Sequence, residues 1–310
     1  MIWVGWRQQR TETVIAAAIL AVLAALLIPT GITMFSAYHH DGLAACVQAG
    51  APDSCQQAIG SFTGRFEQVS HLIDWFTLVP GMIGVLLAAP LTSQLEHGTY
   101  RLDWTQSITR GRWLAGKLGL ALVTGLVISA ALVALITWWR TPFVHLHGRM
   151  DNSVYDSEGV VVFGYTLFAF GLAAAIGVVW RRAVPALVVA YAGYFASRLF
   201  VDTWLRQRLI SPLSATFTPK GGPNLDRAWV LTEYPSDRLG HPIGPLAGAC
   251  PPGASECAVP SKPDGVAYMH AVYHPASHFW PLQLLETAMF GGAAVALIAF
   301  AAWWTLRRTT

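Results

Sequence analysis

One segment of the chain has the outline of a phosphate-binding loop. Residues 111–118 read G-x-x-x-x-G-K-L, which matches the glycine and lysine positions of a Walker A motif. The segment ends in Leu118, whereas magnesium coordination requires a Ser or Thr hydroxyl at that position. It also follows no strand and leads directly into an apolar run, so a backbone cradle for phosphate cannot form there. We therefore expect no ATPase site and no cofactor in this chain.

Histidine is the second residue type that could support chemistry here. The closest groupings are His39 with His40, His145 with His147, and His270 with His274 and His278. The last grouping would place three imidazoles on one helical face, but Pro275 interrupts the helix that this requires. We interpret these histidines as hydrogen-bonding surface residues, with metal binding as the alternative. The sequence contains no HExxH or GxSxG motif and no paired carboxylates on one apolar run, which disfavours a membrane-embedded enzyme.

The four cysteines form two close pairs in the sequence, Cys46 with Cys55 and Cys250 with Cys257. Each pair would close a short loop, and disulfides persist outside the cytosol, so we predict these two bridges. Four cysteines permit three pairings, and four free thiols are the alternative. Neither pair has the CxxC spacing of a zinc site.

The composition indicates an integral membrane protein. Of 310 residues, 54% are hydrophobic and only 12% are charged, whereas soluble domains carry about 25% charged residues. The net charge of +3 is small and its basic residues are scattered, so we expect no nucleic-acid partner. A bilayer core requires roughly 20 apolar residues per helix. Six windows meet this requirement, at 13–37, 71–92, 113–139, 160–180, 184–204 and 282–306.

The basic residues predict the orientation of these spans. If the N-terminus is cytoplasmic, that side holds ten basic residues within a few residues of a span, against only Glu12, Glu96 and Asp103. The ten are Arg7, Arg10, Arg101, Arg110, Arg112, Lys117, Arg181, Arg182, Arg307 and Arg308. By the positive-inside rule, both termini are then cytoplasmic and all four cysteines lie outside. The 17 Arg against 3 Lys are typical of a GC-rich bacterial genome, so we expect a bacterial cell membrane. Arg7 and Arg10 also fit a secretory signal, but the apolar run after them is longer than a typical one.

The predicted fold is therefore an all-α polytopic membrane protein with six transmembrane helices. Residues 1–12 place tryptophans beside Arg7 and Arg10, which predicts a short interfacial helix. The first five spans occupy 13–204. Segment 205–281 is rich in Pro and Gly and predicts a loop-heavy extracytoplasmic cap. Residues 282–310 hold the sixth span and a cytoplasmic tail.

Four ionisable residues lie near the outer ends of the predicted spans. Asp74 opens the second span, Arg198 and Asp202 lie near the end of the fifth, and Glu286 enters the sixth. A charge at a helix centre costs about 2.5–3.5 kcal/mol on insertion scales and usually faces a protein interior or a wet path. We predict that these residues line a substrate path or a gate. The alternative is that they reach the lipid head groups, with Arg198 and Asp202 as an i,i+4 pair.

The connector between the second and third spans, residues 93–112, is the most informative segment. It contains QLEHGTYR at 94–101, and the chain re-enters the membrane through TQSITRGRWLAGK at 105–117. A simple tether can have any polar sequence, whereas this one resembles short helical pieces broken at Gly98. Arg110, Arg112 and Lys117 lie where the chain becomes apolar again. We interpret the connector as the docking surface for a partner.

This connector resembles the cytoplasmic connector that follows the second span in ABC-2 type transporter permeases. In that family an E-x-G-T element precedes a basic return into the third span, and Glu96, Gly98 and Thr99 match the element. The layout is similar too, with an amphipathic N-terminal helix, six spans, cytoplasmic termini and an outer loop before the last span. The matching residues are confined to the connector, and segment 205–281 is longer than in the smaller exporters of the family.

The resemblance implies a partner and a mechanism. The residues that would meet the ATPase subunit are Glu96, His97, Gly98, Thr99, Tyr100 and Arg101, while Arg110, Arg112 and Lys117 would anchor the return at the lipid head groups. ATP and magnesium would bind in two copies of a separate ABC ATPase. A second copy of this chain, or a related permease, would complete the transporter. This transporter would export a hydrophobic or amphipathic compound, lipid or peptide, and it would work by alternating access. A membrane-embedded enzyme and a toxin-binding immunity protein, which would use segment 205–281, are the alternatives.

Overall fold

The computed structural model describes residues 2–48, 55–100, 109–150, 155–218, 221–223, 225, 227–243 and 268–308. It is 79% helical, which confirms the predicted all-α polytopic class. The α-helices are α1 (Ile2–His40), α2 (Leu43–Gln48), α3 (Gln56–Asp74), α4 (Val79–His97), α5 (Arg110–His147), α6 (Val161–Trp180), α7 (Ala183–Phe200), α8 (Arg206–Leu209) and α9 (Phe279–Arg308). A 3₁₀ segment, Trp75–Leu78, joins α3 to α4, and a π-helical segment, Val201–Leu205, joins α7 to α8.

Six stretches of these helices are long and apolar enough to cross a membrane, and each contains or overlaps one of the predicted windows. The second stretch begins at Gln56 because α3, the 3₁₀ segment and α4 follow each other directly. Helix α1 continues from Ile2 to His40 without a break. The interfacial helix predicted for 1–12 is thus the first part of a longer helix, and its position relative to a membrane stays a prediction.

Because successive spans alternate in direction, their ends gather at two opposite faces of the helical bundle. We call the end that carries the connector the connector face, where α4, α6 and α9 end and α5 and α7 begin. We call the opposite end the sheet face, where α1, α5 and α7 end and α4, α6 and α9 begin.

Helix α6 is the centre of the bundle. Of its most apolar window, 78% is buried inside the protein, and it packs against α4, α5, α7 and α9. Small residues allow this packing, as they do in membrane helices generally. A Cβ atom at Gly84 of α4 would lie only 2.3 Å from the carbonyl oxygen of Thr166, and one at Gly177 of α6 would lie 2.0 Å from Cγ2 of Thr92. Helices α4 and α6 are therefore in near-backbone contact along their length.

Helices α1 and α5 form a second packed unit. They have 39 and 38 residues, well beyond the roughly 20 that a bilayer requires, so they extend past α6 and α7, which have 20 and 18 residues. The indole Nε1 of Trp139 donates a hydrogen bond to Oγ1 of Thr30 at 3.0 Å. Farther out, the Phe62 ring of α3 lies 5.7 Å from that of Phe143 and 6.2 Å from that of Tyr38. The sheet face thus carries a helical extension held together by aromatic contacts.

One of the two predicted disulfides is confirmed. Cys46 of α2 is bonded to Cys55, which lies directly before α3, with a Cα–Cα distance of 6.0 Å. The bridge therefore links α2 to the start of α3. Cys250 and Cys257 lie outside the described residues, so their pairing stays a prediction.

The described part of segment 205–281 contains a small sheet, which the sequence analysis did not include. Strands β1 (Leu213–Phe217), β2 (Trp229–Ser236) and β3 (Tyr268–His274) form an antiparallel sheet in the order β1-β3-β2. Ala271 of the central strand is opposite Ala215 on one side and Glu233 on the other. The sheet lies close to the ends of α5 and α8. Trp229 and Leu209 both pack against a small cluster that contains Tyr155 and Phe279, and Arg227 donates to the carbonyl of His145.

Candidate functional site

The connector begins with an abrupt helix end. Helix α4 stops at His97, and Gly98 adopts a left-handed conformation with φ 69° and ψ 9°, which glycine adopts without the steric penalty of a side chain. Glu96, His97 and Thr99 are exposed, whereas Tyr100 is only 3% exposed and packs into the protein. Arg101 and the following residues to 108 lie outside the described part of the chain.

Glu96 joins the connector to a span distant in sequence. Its carboxylate Oε2 accepts a hydrogen bond from the backbone N–H of Ala183, the first residue of α7, at 2.8 Å. The first N–H groups of a helix have no partner within the helix, and a negative charge there also interacts favourably with the helix dipole. Arg182, at the N-cap position, supplies no side-chain hydrogen bond. Glu96 therefore caps α7, so the connector is attached to three spans and not only to α4 and α5.

The return from the connector is helical from its first residue. Helix α5 starts at Arg110, and its segment 111–118 is α-helical throughout, so it has no loop to hold phosphate. Arg110 and Arg112 are exposed. Lys117 is partly exposed, and its Nζ lies 5.9 Å from the Trp113 ring. The turn from α6 to α7 brings two further exposed arginines, Arg181 and Arg182, to the same face.

The sheet face contains a buried group of charges that we call the ionic cluster. Its members are Asp156, Arg198, Asp202, Arg206 and Glu286. Arg206 binds all three carboxylates: its Nε lies 3.1 Å from Oε2 of Glu286, its Nη1 lies 2.6 Å from Oδ1 of Asp202, and its Nη2 binds Asp156. Arg198 binds Asp156 and, at 3.3 Å, Glu286. The side chains of Arg206 and Glu286 are fully buried.

The ionic cluster corrects the interpretation of these residues as separate interfacial charges. Arg198 does not form the i,i+4 pair with Asp202, because Asp202 pairs with Arg206 and Arg198 pairs with Asp156 and Glu286. Glu286 points into the protein and not towards lipid head groups. The side chain of Asp74 lies outside the described residues, so its place on a substrate path stays a prediction.

Two members of the ionic cluster were missed by the sequence analysis, and both lie just beyond the ends of predicted spans. Asp156 precedes α6, and Arg206 follows the predicted end of the fifth span at residue 204. Residues eight apart in an α-helix point about 80° away from each other. The π-helical segment Val201–Leu205 winds less per residue, which turns Arg206 back towards the face of Arg198. A charge pair at an eight-residue spacing gives no signal in a search for α-helical periodicity.

Two tyrosines complete the polar contacts of the ionic cluster. The hydroxyl of Tyr165 donates to Oε1 of Glu286 at 2.5 Å and lies 3.3 Å from Oδ1 of Asp156. The guanidinium of Arg198 stacks 3.8 Å above the Tyr165 ring, and that of Arg206 lies 4.4 Å from the Tyr155 ring. Burial alone would raise the pKa of Asp156, but the two guanidinium groups outweigh it and lower that pKa below its usual range. Asp156 is therefore ionised at neutral pH.

A cavity of about 100 Å³ adjoins the ionic cluster between the start of α4 and the end of α7. Its lining consists of Thr77, Leu78, Asp156, Tyr194, Phe195, Arg198, Leu199 and Asp202. Gly81 allows this geometry, because a Cβ atom there would lie 2.2 Å from the ring of Tyr194. The wall is thus half charged or polar and half apolar.

His270, His274 and His278 do not form a single group of three imidazoles. Nδ1 of His270 lies 2.8 Å from the hydroxyl of Thr216, while Nδ1 of His274 lies 3.1 Å from Nδ1 of His278. Among the residues that the structure describes, no group of three His, Cys, Asp or Glu side chains is placed to hold a metal ion.

A model of one protein family matches most of the helical part of the chain, including the connector. The model of the family described as ABC-2 membrane transporter related matches residues 17–206, which is more than half of the chain. The matched range includes the connector, Asp156, Arg198 and Arg206. The protein is therefore a multi-pass membrane transporter permease. It belongs to the ABC-2 membrane transporter related family. No curated protein and no solved structure matches the chain.

Proposed function

We propose that this chain is the transmembrane subunit of an ATP-driven exporter whose motor is a separate ABC ATPase. The observation that carries the proposal is the hydrogen bond from Ala183 to Glu96, which attaches the connector to the start of α7. A partner that pushes on residues 93–112 then acts on α4, α5 and α7 together. Two ATPase subunits would bind ATP and magnesium, and a second copy of this chain or a related permease would complete the transporter.

The packing suggests how such a push moves the bundle. Helices α4 and α6 are in near-backbone contact at Gly84 and Gly177, and α7 is held to α4 by Glu96. These three helices would therefore move as one body, whereas α1 and α5 pack chiefly on each other and meet this body over a smaller interface. Alternating access then results from relative movement of the two units, driven by the difference in affinity of the ATPase for the two states.

We infer that the connector face is cytoplasmic and the sheet face is extracytoplasmic. Four exposed arginines, Arg110, Arg112, Arg181 and Arg182, lie next to the spans at the connector face, as the positive-inside rule requires. The Cys46–Cys55 disulfide lies at the opposite face, where an oxidising compartment would keep it intact. Both termini would then be cytoplasmic, in a bacterial cell membrane. The family favours export, and the expected cargo is a hydrophobic or amphipathic compound, lipid or peptide.

Co-purification tests the proposal. The tagged chain is expressed together with a candidate ABC ATPase, and the complex is captured from detergent extracts through the tag. We expect the wild-type chain to retain the ATPase, and a double variant Glu96→Ala with Gly98→Val to lose most of it. The matched control is Glu233→Ala, which removes an exposed carboxylate at the sheet face and leaves the connector intact.

A monodisperse peak in size-exclusion chromatography shows that each variant is folded. Equal ATPase capture by the double variant and the control would contradict the proposal. Transport or toxin protection by the chain alone, without any ATPase, would support the alternatives of a different class.

A further inference from the structure

We propose that the contact between α5 and residues 155–160 is a gate at the sheet face, and that the ion pair between Arg140 and Glu158 holds this gate shut. We call residues 155–160, which precede α6, the gate loop. The inference rests on the proposed transport function and adds the element that closes the cargo's route at the face opposite the connector. It depends on the burial of the gate loop, on the helices that hold it, and on the unequal strength of these attachments.

The gate loop is buried, although connecting segments normally lie on the surface. Its first four residues carry polar groups and are only 2–6% exposed, namely Tyr155, Asp156, Ser157 and Glu158. The hydroxyl of Ser157 has no hydrogen-bond partner among the described residues, and a buried polar group without a partner costs free energy. Water that reached the loop would relieve this cost, so contacts with neighbouring helices are needed to keep the loop covered.

The backbone of the gate loop is attached to α9 through Gln283, which is fully buried. Its Oε1 accepts a hydrogen bond from the backbone N–H of Val161 at 3.0 Å, and its Nε2 donates to the carbonyl oxygens of Tyr155 and Glu158 at 3.0 and 3.2 Å. Gly159 allows this close approach, because its φ is +73° and a Cβ atom there would lie 2.7 Å from Oε1 of Gln283. The gate loop is thus bound to the helices that pack around α6.

The two acidic residues of the gate loop bind different helices. Asp156 is bound by the guanidinium groups of Arg198 in α7 and Arg206 in α8. Glu158 is bound by α5, where Nε of Arg140 lies 3.3 Å from its Oε1. Because α5 packs chiefly on α1 and less on α6, the pair of Arg140 with Glu158 crosses the boundary that alternating access would open.

The attachment across this boundary is the weaker one. Oε1 of Glu158 has no well-aligned hydrogen-bond partner among the described residues, so its attraction to Arg140 is mainly that of charge. The exposed Arg149 also acts on Glu158 electrostatically. Asp156 instead binds two guanidinium groups, and charge-assisted hydrogen bonds are the stronger kind. Movement of α5 away from α6 would therefore break the contact at Glu158 and leave the gate loop bound to α7 and α9.

Double electron–electron resonance on the full chain in phosphatidylcholine nanodiscs tests this assignment. Spin labels are placed at two exposed positions, His145→Cys in α5 and Ser277→Cys before α9, and they report the distance across the gate. Cys250 and Cys257 are replaced by serine so that they do not react. We expect a short distance to dominate without further substitution. The ratio of a longer distance to this short one should rise about tenfold in Glu158→Gln and in Arg140→Gln.

Two further variants separate a gate from a general loss of stability. Arg140→Lys keeps the positive charge, so the ratio of long to short distances should stay low. The double variant Arg140→Gln with Glu158→Gln leaves neither partner as an unpaired buried charge, yet it should be as open as the single variants because the ion pair is gone. Glu233→Gln, which removes an exposed carboxylate from strand β2, is the control and should keep the short distance.

Three results would overturn the proposal. One is an unchanged ratio in both single variants, and another is an Arg140→Lys chain as open as Arg140→Gln. The third is a double variant that returns to the short distance, which would show that the single variants suffer only from an unpaired buried charge. If a single variant gives no monodisperse peak, the comparison of the double variant with Arg140→Lys decides. The distances are measured without the ATPase, so failure here with intact ATPase capture rejects only this inference, and the reverse outcome rejects only the proposed coupling.

Discussion

Replacement of Arg206 by alanine is the sharpest test of the ionic cluster. The Arg206 side chain is fully buried and donates hydrogen bonds to Asp156, Asp202 and Glu286. Its removal leaves Asp156 and Glu286 with Arg198 as their remaining bonded guanidinium, and it takes from Asp202 its ion pair with Arg206. Because Asp202 is partly exposed, it can turn towards water, so the main loss concerns Asp156 and Glu286.

The expected magnitude follows from the burial of these partners. Removing one member of a buried ion pair costs about 3–5 kcal/mol, because the remaining charge loses its compensation. We expect Arg206→Ala to lower the free energy of unfolding by about that amount. Arg206→Lys should lower it by less, because lysine keeps the positive charge, although it cannot bind three carboxylates as a planar guanidinium does. The measurement is unfolding in mixed micelles of increasing dodecyl sulfate content, followed by circular dichroism.

The matched control lies two residues away. Arg208 is exposed, and its guanidinium lies 4.5 Å from the Trp204 ring. We expect Arg208→Ala to change the free energy of unfolding by about 0.5 kcal/mol, as exposed substitutions usually do. If Arg206→Ala and Arg208→Ala have the same small effect, the ionic cluster does not hold α6, α7 and α9 together, and the reasoning is refuted.

Two further predictions concern the bundle and the sheet. Gly84→Ala places a methyl group 2.3 Å from the carbonyl oxygen of Thr166. We expect it to lower the free energy of unfolding by about 1–3 kcal/mol in the same dodecyl sulfate titration. An unchanged midpoint would show that α4 and α6 can separate freely. Burial of the His274 ring, and after it the charge of the neighbouring His278, lower the pKa of His274. The folded chain therefore disfavours protonated His274 more than the unfolded chain does. The sheet should lose stability as the pH falls below about 6.5. Fluorescence of Trp229, whose ring stacks on His274, should report this change, and His274→Gln should abolish its pH dependence.

The spans were predictable because a bilayer imposes one length and one composition on every helix that crosses it. The six windows and the class of fold follow from that constraint alone. The bridge from Cys46 to Cys55 was predictable for a similar reason, since short loops close readily. These features depend on local sequence, which is directly visible in a single chain.

The contacts between distant segments could not be predicted in the same way. Nothing in the sequence connects Glu96 with Ala183, since their contact depends on how α4 and α7 pack. Asp156 was overlooked because it lies between spans, where a charge is unremarkable until the fold buries it. The sheet was overlooked because the Pro and Gly residues between its strands dominate the composition of segment 205–281.

The π-helical segment at Val201–Leu205 has a consequence for comparing this chain with its relatives. In an uninterrupted α-helix, residues seven apart differ in direction by only about 20°. A relative whose fifth span is α-helical throughout would need its second arginine seven positions after the first to reach the same carboxylates, whereas here Arg206 follows Arg198 by eight. An alignment that inserts no gap in this segment would pair Arg206 with the wrong residue, and a conserved pair of arginines would go unrecognised.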